Sequence, residues 1–175
     1  MTVSANLELR FSGQIEGSNV FGGPYFQGEF ALLKAFTDGV GADQFDLVYF
    51  AERTVASGAN DDLDLYGTLI GVMGNTINAA ELVGFMIANR KIDPSATLNT
   101  TDLTIGGGSN VQTSVWLGGT DTRIQVISPG GIFMMMNPTS AGMGAVVSGL
   151  GDIIRITNSS GASNTYVVAL LMRSA

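Results

Sequence analysis

Residues 152–172, with the sequence DIIRITNSSGASNTYVVALLM, decide the fold class. Two runs rich in apolar and β-branched residues, 152–157 and 166–172, flank a polar cluster at 158–161. Runs of this kind on either side of a turn cluster are typical of paired strands. The sequence therefore predicts a β-hairpin, and its last strand is apolar on both faces.

Further strands are predicted upstream of this pair. Short apolar runs lie at 103–105, 114–117, 123–127 and 132–136, and clusters of glycine, proline or asparagine separate them. Short strands at spacings of about ten residues, with no amphipathic helix between them, are typical of a sandwich or barrel. We therefore predict an all-β fold, with a β-sandwich or jelly-roll-like domain over residues 45–175.

The first half of this domain carries two more strand patterns and one possible helix. Residues 45–56 are rich in aromatic and β-branched residues, and a second strand starts at 63–66. Asn78 followed three residues later by Glu81 fits the start of a short helix, with Asn78 as its N-cap. Residues 82–89 fit a strand or the continuation of that helix, and their β-branched residues favour the strand.

Residues 1–44 are predicted to form a separate N-terminal arm. Leu7, Leu9 and Phe11 alternate with polar residues, which predicts a strand whose core face they form. Residues 12–44 are rich in glycine and aromatic residues, and we predict an arm or a long loop there. Nine of the fourteen aromatic residues of the chain lie in the first fifty positions. Their rings must pack on this domain or on a neighbouring molecule.

Two segments are predicted to form an interface. The run at 132–136 is apolar at every position, which implies cover on both sides of the strand. A second sheet would cover one side, and either another subunit or a segment of the same chain would cover the other. The predicted interface residues come from this run and from the arm: Phe21, Tyr25, Phe26, Phe133, Met134, Met135 and Met136.

The composition excludes several classes of function. The chain has no histidine and no cysteine, which excludes a Ser-His-Asp triad, a disulfide and the usual structural zinc sites. Its net charge of -7 disfavours nucleic-acid binding. No apolar run approaches the length of a membrane span, so no membrane contact is predicted. Charged residues make up only 13% of the chain, which indicates that part of its surface meets protein instead of water.

Acidic residues offer the remaining candidate sites. Asp61, Asp62 and Asp64 lie close together in sequence, and we expect a turn with solvated acids or, alternatively, a weak cation site. The spacing does not fit an EF-hand calcium loop. Glu52 and Glu81 have apolar neighbours and are candidates for catalysis. Glu52 is explained as the neighbour of Arg53 on the outer face of a strand, and Glu81 as a residue at the start of a helix. We therefore predict no enzymatic activity and no cofactor.

A resemblance adds to these predictions. The relevant motifs are DLDL at 62–65, GTL at 67–69, LTIGG at 103–107, PGGIF at 129–133, GLGDIIRITN at 149–158 and YVV at 166–168. In turn signals and strand spacing, residues 45–175 resemble small structural proteins encoded by tailed bacteriophages. Several of those proteins are β-sandwich or jelly-roll modules on the virion, as head decoration (cement) proteins or tail components.

The resemblance implies a structural role without chemistry. The protein would be made in the cytoplasm of the bacterial host and would bind the major capsid protein on the capsid surface. Cyclic trimers suit the three-fold positions of a lattice, so we expect a homotrimer with contacts through residues 2–45. The alternatives are a tail or fibre protein, and a carbohydrate-binding β-sandwich in which Trp116 or Tyr25 stacks on sugar beside calcium held by the three aspartates.

Overall fold

The computed structural model describes residues 3–17, 25–112, 116–118, 122 and 124–175. The elements with described bounds are all strands, which confirms the all-β prediction. The thirteen strands are β1 (Ala5–Glu16), β2 (Tyr25–Phe36), β3 (Leu47–Val55), β4 (Asn60–Asp64), β5 (Tyr66–Ile70), β6 (Thr76–Asn78), β7 (Glu81–Ala88), β8 (Leu103–Gly106), β9 (Ile124–Ile127), β10 (Ile132–Met136), β11 (Gly144–Ala145), β12 (Ile153–Asn158) and β13 (Asn164–Arg173).

Two larger antiparallel sheets form a sandwich-like domain. The first has the order β10-β7-β13-β3, and β11 also pairs with β7. The second has the order β4-β12-β8-β9. Strands β1 and β2 form a two-stranded sheet of their own, as do β5 and β6. No helix in the described part of the chain is long and apolar enough to cross a membrane.

The core lies between the two larger sheets. Successive strand residues point to opposite faces, so every second residue of a strand can face one core. Tyr166, Val168 and Leu170 on β13 are fully buried and belong to one cluster with Ile154 and Ile156 on β12. This cluster joins the two sheets and accounts for the apolar alternation in both strands.

The predicted hairpin of β12 and β13 is wrong, although both strands exist. Strand β12 pairs with β4 and β8, whereas β13 pairs with β3 and β7. The residues between them therefore cross from one sheet to the other. Each strand is hydrogen-bonded along both edges by more distant strands, and the short polar loop between the two does not reveal this.

The short helix predicted at Asn78 is also wrong. Asn78 ends β6, where it pairs with Tyr66, and Glu81 begins β7. The backbone N–H of Ala79 bonds to the Leu65 carbonyl, so neighbouring strands satisfy the groups that a helix would have used. The strand predicted at 82–89 is confirmed. This strand, β7, is buried on both faces, so its sequence lacks the alternation of apolar and polar residues by which a half-buried strand is recognised.

The arm predicted over residues 12–44 is more regular than expected. Strands β1 and β2 pair at twelve positions, from Ala5 with Phe36 to Glu16 with Tyr25. This segment is ordered by the pairing of two strands, and the pattern within one stretch of sequence does not show with which other stretch it pairs. For the strand predicted at 114–117, residues 113–115 lie outside the described part of the chain, and residues 116–118 form a helical turn instead of a strand.

Candidate functional site

The β1–β2 hairpin has one apolar face and one polar face. Residues directly opposite each other in an antiparallel pair share a face, so Leu9 lies beside Leu32 and Phe11 beside Phe30. We call Leu9, Phe11, Ile15, Phe30 and Leu32 the apolar hairpin face. The exposed fractions of these residues are 43%, 74%, 70%, 61% and 49%. This is a large amount of apolar surface in contact with solvent.

Charged side chains lie on the opposite face of the hairpin. Arg10 lies 3.1 Å from Glu8 and 3.7 Å from Glu29, between side-chain nitrogen and carboxylate oxygen atoms. This face also carries Ala31, which pairs with Arg10, and the exposed Leu33, which pairs with Glu8. The alternation along β1 thus separates an apolar from a largely polar surface.

The base of the hairpin packs on the domain, whereas its distal part does not. Phe36 and Phe45 are buried with Val83, and their ring centroids lie 5.6 Å apart. Leu7 packs against this cluster and is half-buried, but Leu9 and Phe11 are exposed. The prediction that all three form a core face is therefore wrong beyond Leu7, because the hairpin runs past the sheet that covers its base.

The outer face of the five-stranded sheet is also apolar. A cleft of about 210 Å³ lies between this face and the hairpin base, where Ala5, Leu7 and Phe36 form one wall. The opposite wall comes from the outward side chains of β3, β7, β10 and β13: Phe50, Met86, Met134, Met136, Ala169 and Leu171. The cleft joins this sheet face to the apolar side of the hairpin.

The structure divides the predicted interface residues of β10 between two surfaces. Phe133 and Met135 pack against the core, where the Phe133 ring lies 5.7 Å from that of Phe85. Met134 and Met136 line the cleft on the other face of the strand. The sequence left open whether another subunit or a segment of the same chain covers the outer side of this strand. In the structure a segment of the same chain covers part of it, because Met136 packs against the hairpin base.

The structure describes only part of the aromatic cluster predicted at the centre of the arm. Phe21 lies outside the described residues. Strand β2 begins with Tyr25 and Phe26, which pair with Glu16 and Ile15 of β1. The structure describes the backbone of these two residues and not their side chains. Sequence reasoning missed Phe30 and Leu32 in this region, although residues 26–32 have apolar side chains or glycine at alternate positions.

Asp61 forms an ion pair that joins the two sheets. It lies on β4, and both of its carboxylate oxygens accept hydrogen bonds from Arg53 on β3, at 2.6 and 2.7 Å. The hydroxyl of Tyr166 on β13 also donates to Asp61, at 2.8 Å. The Arg53 guanidinium donates in addition to the Tyr49 hydroxyl. Asp61 is thus committed to the structure of the sandwich.

These contacts shift the pKa values of the three groups. Burial acts to raise the pKa of Asp61, but hydrogen bonds from Arg53 and Tyr166 outweigh it and hold this pKa below its usual range. The hydrogen bond to Asp61 raises the pKa of Arg53. Burial, reinforced by the charge of Asp61, raises the pKa of Tyr166. Asp61 therefore remains charged, and Tyr166 remains a neutral donor, at neutral pH.

The three clustered aspartates do not form a cation site. Asp62 makes its own two-bond pair with Arg155, with both distances at 2.7 Å, and the Asp64 carboxylate accepts the Tyr66 backbone N–H at 2.8 Å. Asp61 lies on the opposite face of β4 because neighbouring strand residues alternate. Among the described residues, no group of three or more acidic side chains is placed to hold a metal ion.

The two glutamates considered for catalysis also have partners within the chain. Glu52 accepts the backbone N–H of Ile92 at 2.6 Å. Glu81 pairs with Arg173, a fully buried guanidinium that also donates to the Gln44 and Thr139 carbonyl oxygens at 2.9 Å each. These two carboxylates therefore hold loops and strand ends in place.

Trp116, the candidate for sugar stacking, packs into the domain. Its ring lies 4.7 Å from Phe85 and 6.5 Å from Phe133, and its indole N–H donates to the Gln112 side chain. Neighbouring rings thus occupy much of the surface that a sugar would need. The apolar hairpin face and the adjoining cleft remain the candidate functional surface.

Comparisons with protein-family models, with curated proteins and with solved structures find no match to this chain.

The inter-sheet ion pair predicts unequal effects for two neighbouring aspartates. Asp61→Asn should lower the free energy of unfolding at pH 7 by about 2 kcal/mol, because the Asp61 carboxylate is only 14% exposed and binds both the Arg53 guanidinium and the buried Tyr166 hydroxyl. Asp62→Asn is the matched control on the same strand. It should cost less than about 1 kcal/mol, since the Asp62 carboxylate that pairs with Arg155 is 39% exposed. Urea unfolding of both variants tests this, and equal losses would contradict it.

The depressed pKa of Asp61 predicts a pH dependence. A carboxylate with a lowered pKa in the folded state stabilises the fold above its unfolded pKa, near 3.8, and this stabilisation is lost as the pH falls through the folded value. The stability difference between wild type and Asp61→Asn should therefore be full at neutral pH and should shrink below about pH 4. Urea unfolding at a series of pH values measures it. A difference that stays constant into strong acid would contradict the prediction.

Proposed function

We propose that this chain is a non-enzymatic structural protein of a tailed-bacteriophage virion, a head decoration (cement) protein. In this role it binds the major capsid protein on the capsid surface as an oligomer, after synthesis in the host cytoplasm. The single observation that carries the proposal is the exposed apolar hairpin face beside the apolar cleft. Together with the resemblance of residues 45–175 to phage structural proteins, it favours a protein that works by contact.

The exposed apolar surface supports a role in assembly. Monomeric soluble proteins rarely expose contiguous apolar patches larger than a few hundred Å² unless the patch is a binding site. The apolar hairpin face alone places two phenylalanines, two leucines and an isoleucine in solvent. A partner that covered this face would gain the hydrophobic stabilisation that the isolated chain does not use.

The acidic side chains support the non-enzymatic part of the proposal. A carboxylate that acts as an acid, base or nucleophile must reach the substrate. Asp61, Asp62, Glu52 and Glu81 are instead engaged by arginines or by a backbone N–H of the same chain. Their positions are explained by the stability of the fold.

A decoration role also requires only binding energy. A protein that binds the assembled lattice, and not the dissociated subunits, stabilises the lattice by an amount that grows with the logarithm of its concentration relative to its dissociation constant. A sandwich with an apolar surface for association meets this requirement without any catalytic group. A tail or fibre role would use the same surface, and the experiment below distinguishes the two locations.

Immunogold electron microscopy of purified virions from the source lysate tests the proposal. Antibody against this chain should label heads, because a decoration protein is spread over the capsid lattice. Labelling confined to tails would replace the decoration role with a tail role. Absence of label from particles, with the chain present in the lysate, would overturn the virion proposal altogether.

A heating experiment tests the stabilising effect itself. Heads that lack this chain should release their DNA at a lower temperature than decorated heads, and addition of the purified chain should restore the higher temperature. The release of DNA can be followed with an intercalating dye, and bovine serum albumin added at the same concentration is the control. Equal release temperatures with and without the bound chain would contradict a cement function.

A further inference from the structure

We propose that two copies of this chain pair through their apolar hairpin faces, ribbon against ribbon. The two-fold axis lies between the ribbons and crosses the strands at Ser12. This inference rests on the proposed function, which includes self-association of the chain, and it assigns that self-association to one surface. It names the hairpin of a second copy as the occupant of the apolar hairpin face.

The chemistry of the face favours an identical partner. From position 9 to 15 of β1 and from 28 to 32 of β2, the residues of this face include none with a charge: Leu9, Phe11, Gly13, Ile15, Gly28, Phe30 and Leu32. Glu8, Arg10 and Glu29 lie on the other side of the ribbon. Two chains of net charge -7 can therefore meet here without burying a charge.

The shape of the face matches itself. Gly13 pairs with Gly28, and a Cβ atom added at Gly13 would meet nothing within 4 Å. The apolar hairpin face therefore has a depression at this glycine pair, which we call the glycine notch. The next pair on the same face, about 7 Å along the strand, is Phe11 with Phe30. A two-fold axis across Ser12 places the phenylalanines of each copy over the glycine notch of the other.

The same operation aligns the remaining residues of the strip. Reversal about Ser12 sets Leu9 of one hairpin against Ile15 of the other, so apolar side chains also meet at both ends of the β1 part of this face. Interfaces with two-fold symmetry use the same patch on both partners, which requires a self-complementary pattern of this kind. The pattern favours a pair of copies over the homotrimer expected from lattice symmetry.

The area is adequate for a stable pair. Large apolar side chains bury about 200 Å² each, so the exposed fractions of the five residues leave roughly 600 Å² of apolar surface on each copy. Pairing would bury about 1,200 Å² in total, the lower end of the range for specific protein–protein interfaces. The hairpin base packs on the five-stranded sheet, but the five residues of the apolar hairpin face are exposed, so this surface is available to a partner.

Sedimentation equilibrium of the full-length protein tests the pairing. The wild type should show twice the 18.2 kDa mass of one chain at micromolar concentration. Phe11→Glu and Phe30→Glu should each weaken association at least about 30-fold, as expected for a central aromatic residue of an interface. Ala31→Glu adds the same charge beside Phe30 on the opposite face, and it should change the dissociation constant less than about threefold.

A fourth variant, Gly13→Leu, tests the fit at the glycine pair. Gly13→Leu fits the free hairpin and adds apolar surface, so unspecific hydrophobic association would become stronger. Two-fold pairing predicts the opposite, at least about tenfold weaker association, because the new side chain occupies the space of the partner's phenylalanines. At protein concentrations low enough for the wild type to be monomeric, circular dichroism and thermal unfolding should be the same in all four variants as in the wild type, since the substituted positions are exposed or, at Gly13, open and no partner contributes stability there.

Several outcomes would overturn the pairing. They are a monomeric or trimeric wild type, an effect of Ala31→Glu equal to that of Phe30→Glu, and association that Gly13→Leu leaves unchanged or strengthens. A monomer whose binding to phage heads is lost in Phe11→Glu would assign the face to the capsid instead.

The virion proposal fails separately. A wild type that forms pairs in solution but is absent from particles would overturn the virion role and leave the pairing in place. A wild type that labels heads, with a solution mass unaffected by Phe11→Glu, would overturn the pairing and leave the virion role.

Discussion

Strand β13 organises the sandwich, because it is buried and is hydrogen-bonded along both of its edges. This strand bonds to β3 along one edge and to β7 along the other, and its alternate side chains fill the core against the second sheet. Its ends carry the polar contacts that fix the neighbouring elements. Near one end the Tyr166 hydroxyl reaches Asp61 on the other sheet, and at the other end lies the buried Arg173. A strand hydrogen-bonded on both edges holds its partners in a single register, because a slip of one residue would turn its buried face outward.

Arg173 relates this strand to the functional surface. Its guanidinium pairs with Glu81 at the start of β7 and donates to carbonyl oxygens of Gln44 and Thr139. Gln44 directly precedes Phe45, one of the rings on which the hairpin base packs. A buried cation that lost these partners would be strongly destabilising, so the contacts are mutually dependent. The polar cluster therefore fixes the point at which the hairpin leaves the domain, and with it the position of the apolar hairpin face.

The structure divides the apolar residues of the chain between folding and surface contact. The sandwich buries its own core, and the base of the hairpin covers part of the outer face of the five-stranded sheet. The distal hairpin has no such cover, yet its alternation is as regular as that of a core strand. An isolated two-stranded ribbon is only marginally stable in water, so a partner on its apolar face would also stabilise the ribbon itself. Assembly and local folding of the hairpin are coupled in this way.

The fold class and most of the strands could be predicted from the sequence, because the alternation of apolar and polar residues and the turn residues are local patterns. The absence of histidine and cysteine also excludes the catalytic triads that need them. The pairing of the strands could not be predicted from the sequence and is seen in the folded structure. The tertiary structure placed β12 and β13 in different sheets, ended a strand at Asn78 and brought β2 beside β1. It also decided that Leu9 and Phe11 are exposed while Phe36 is buried. The physical reason is that a period of two specifies one apolar face of a strand, whereas the surface that covers this face comes from residues distant in sequence or from another molecule.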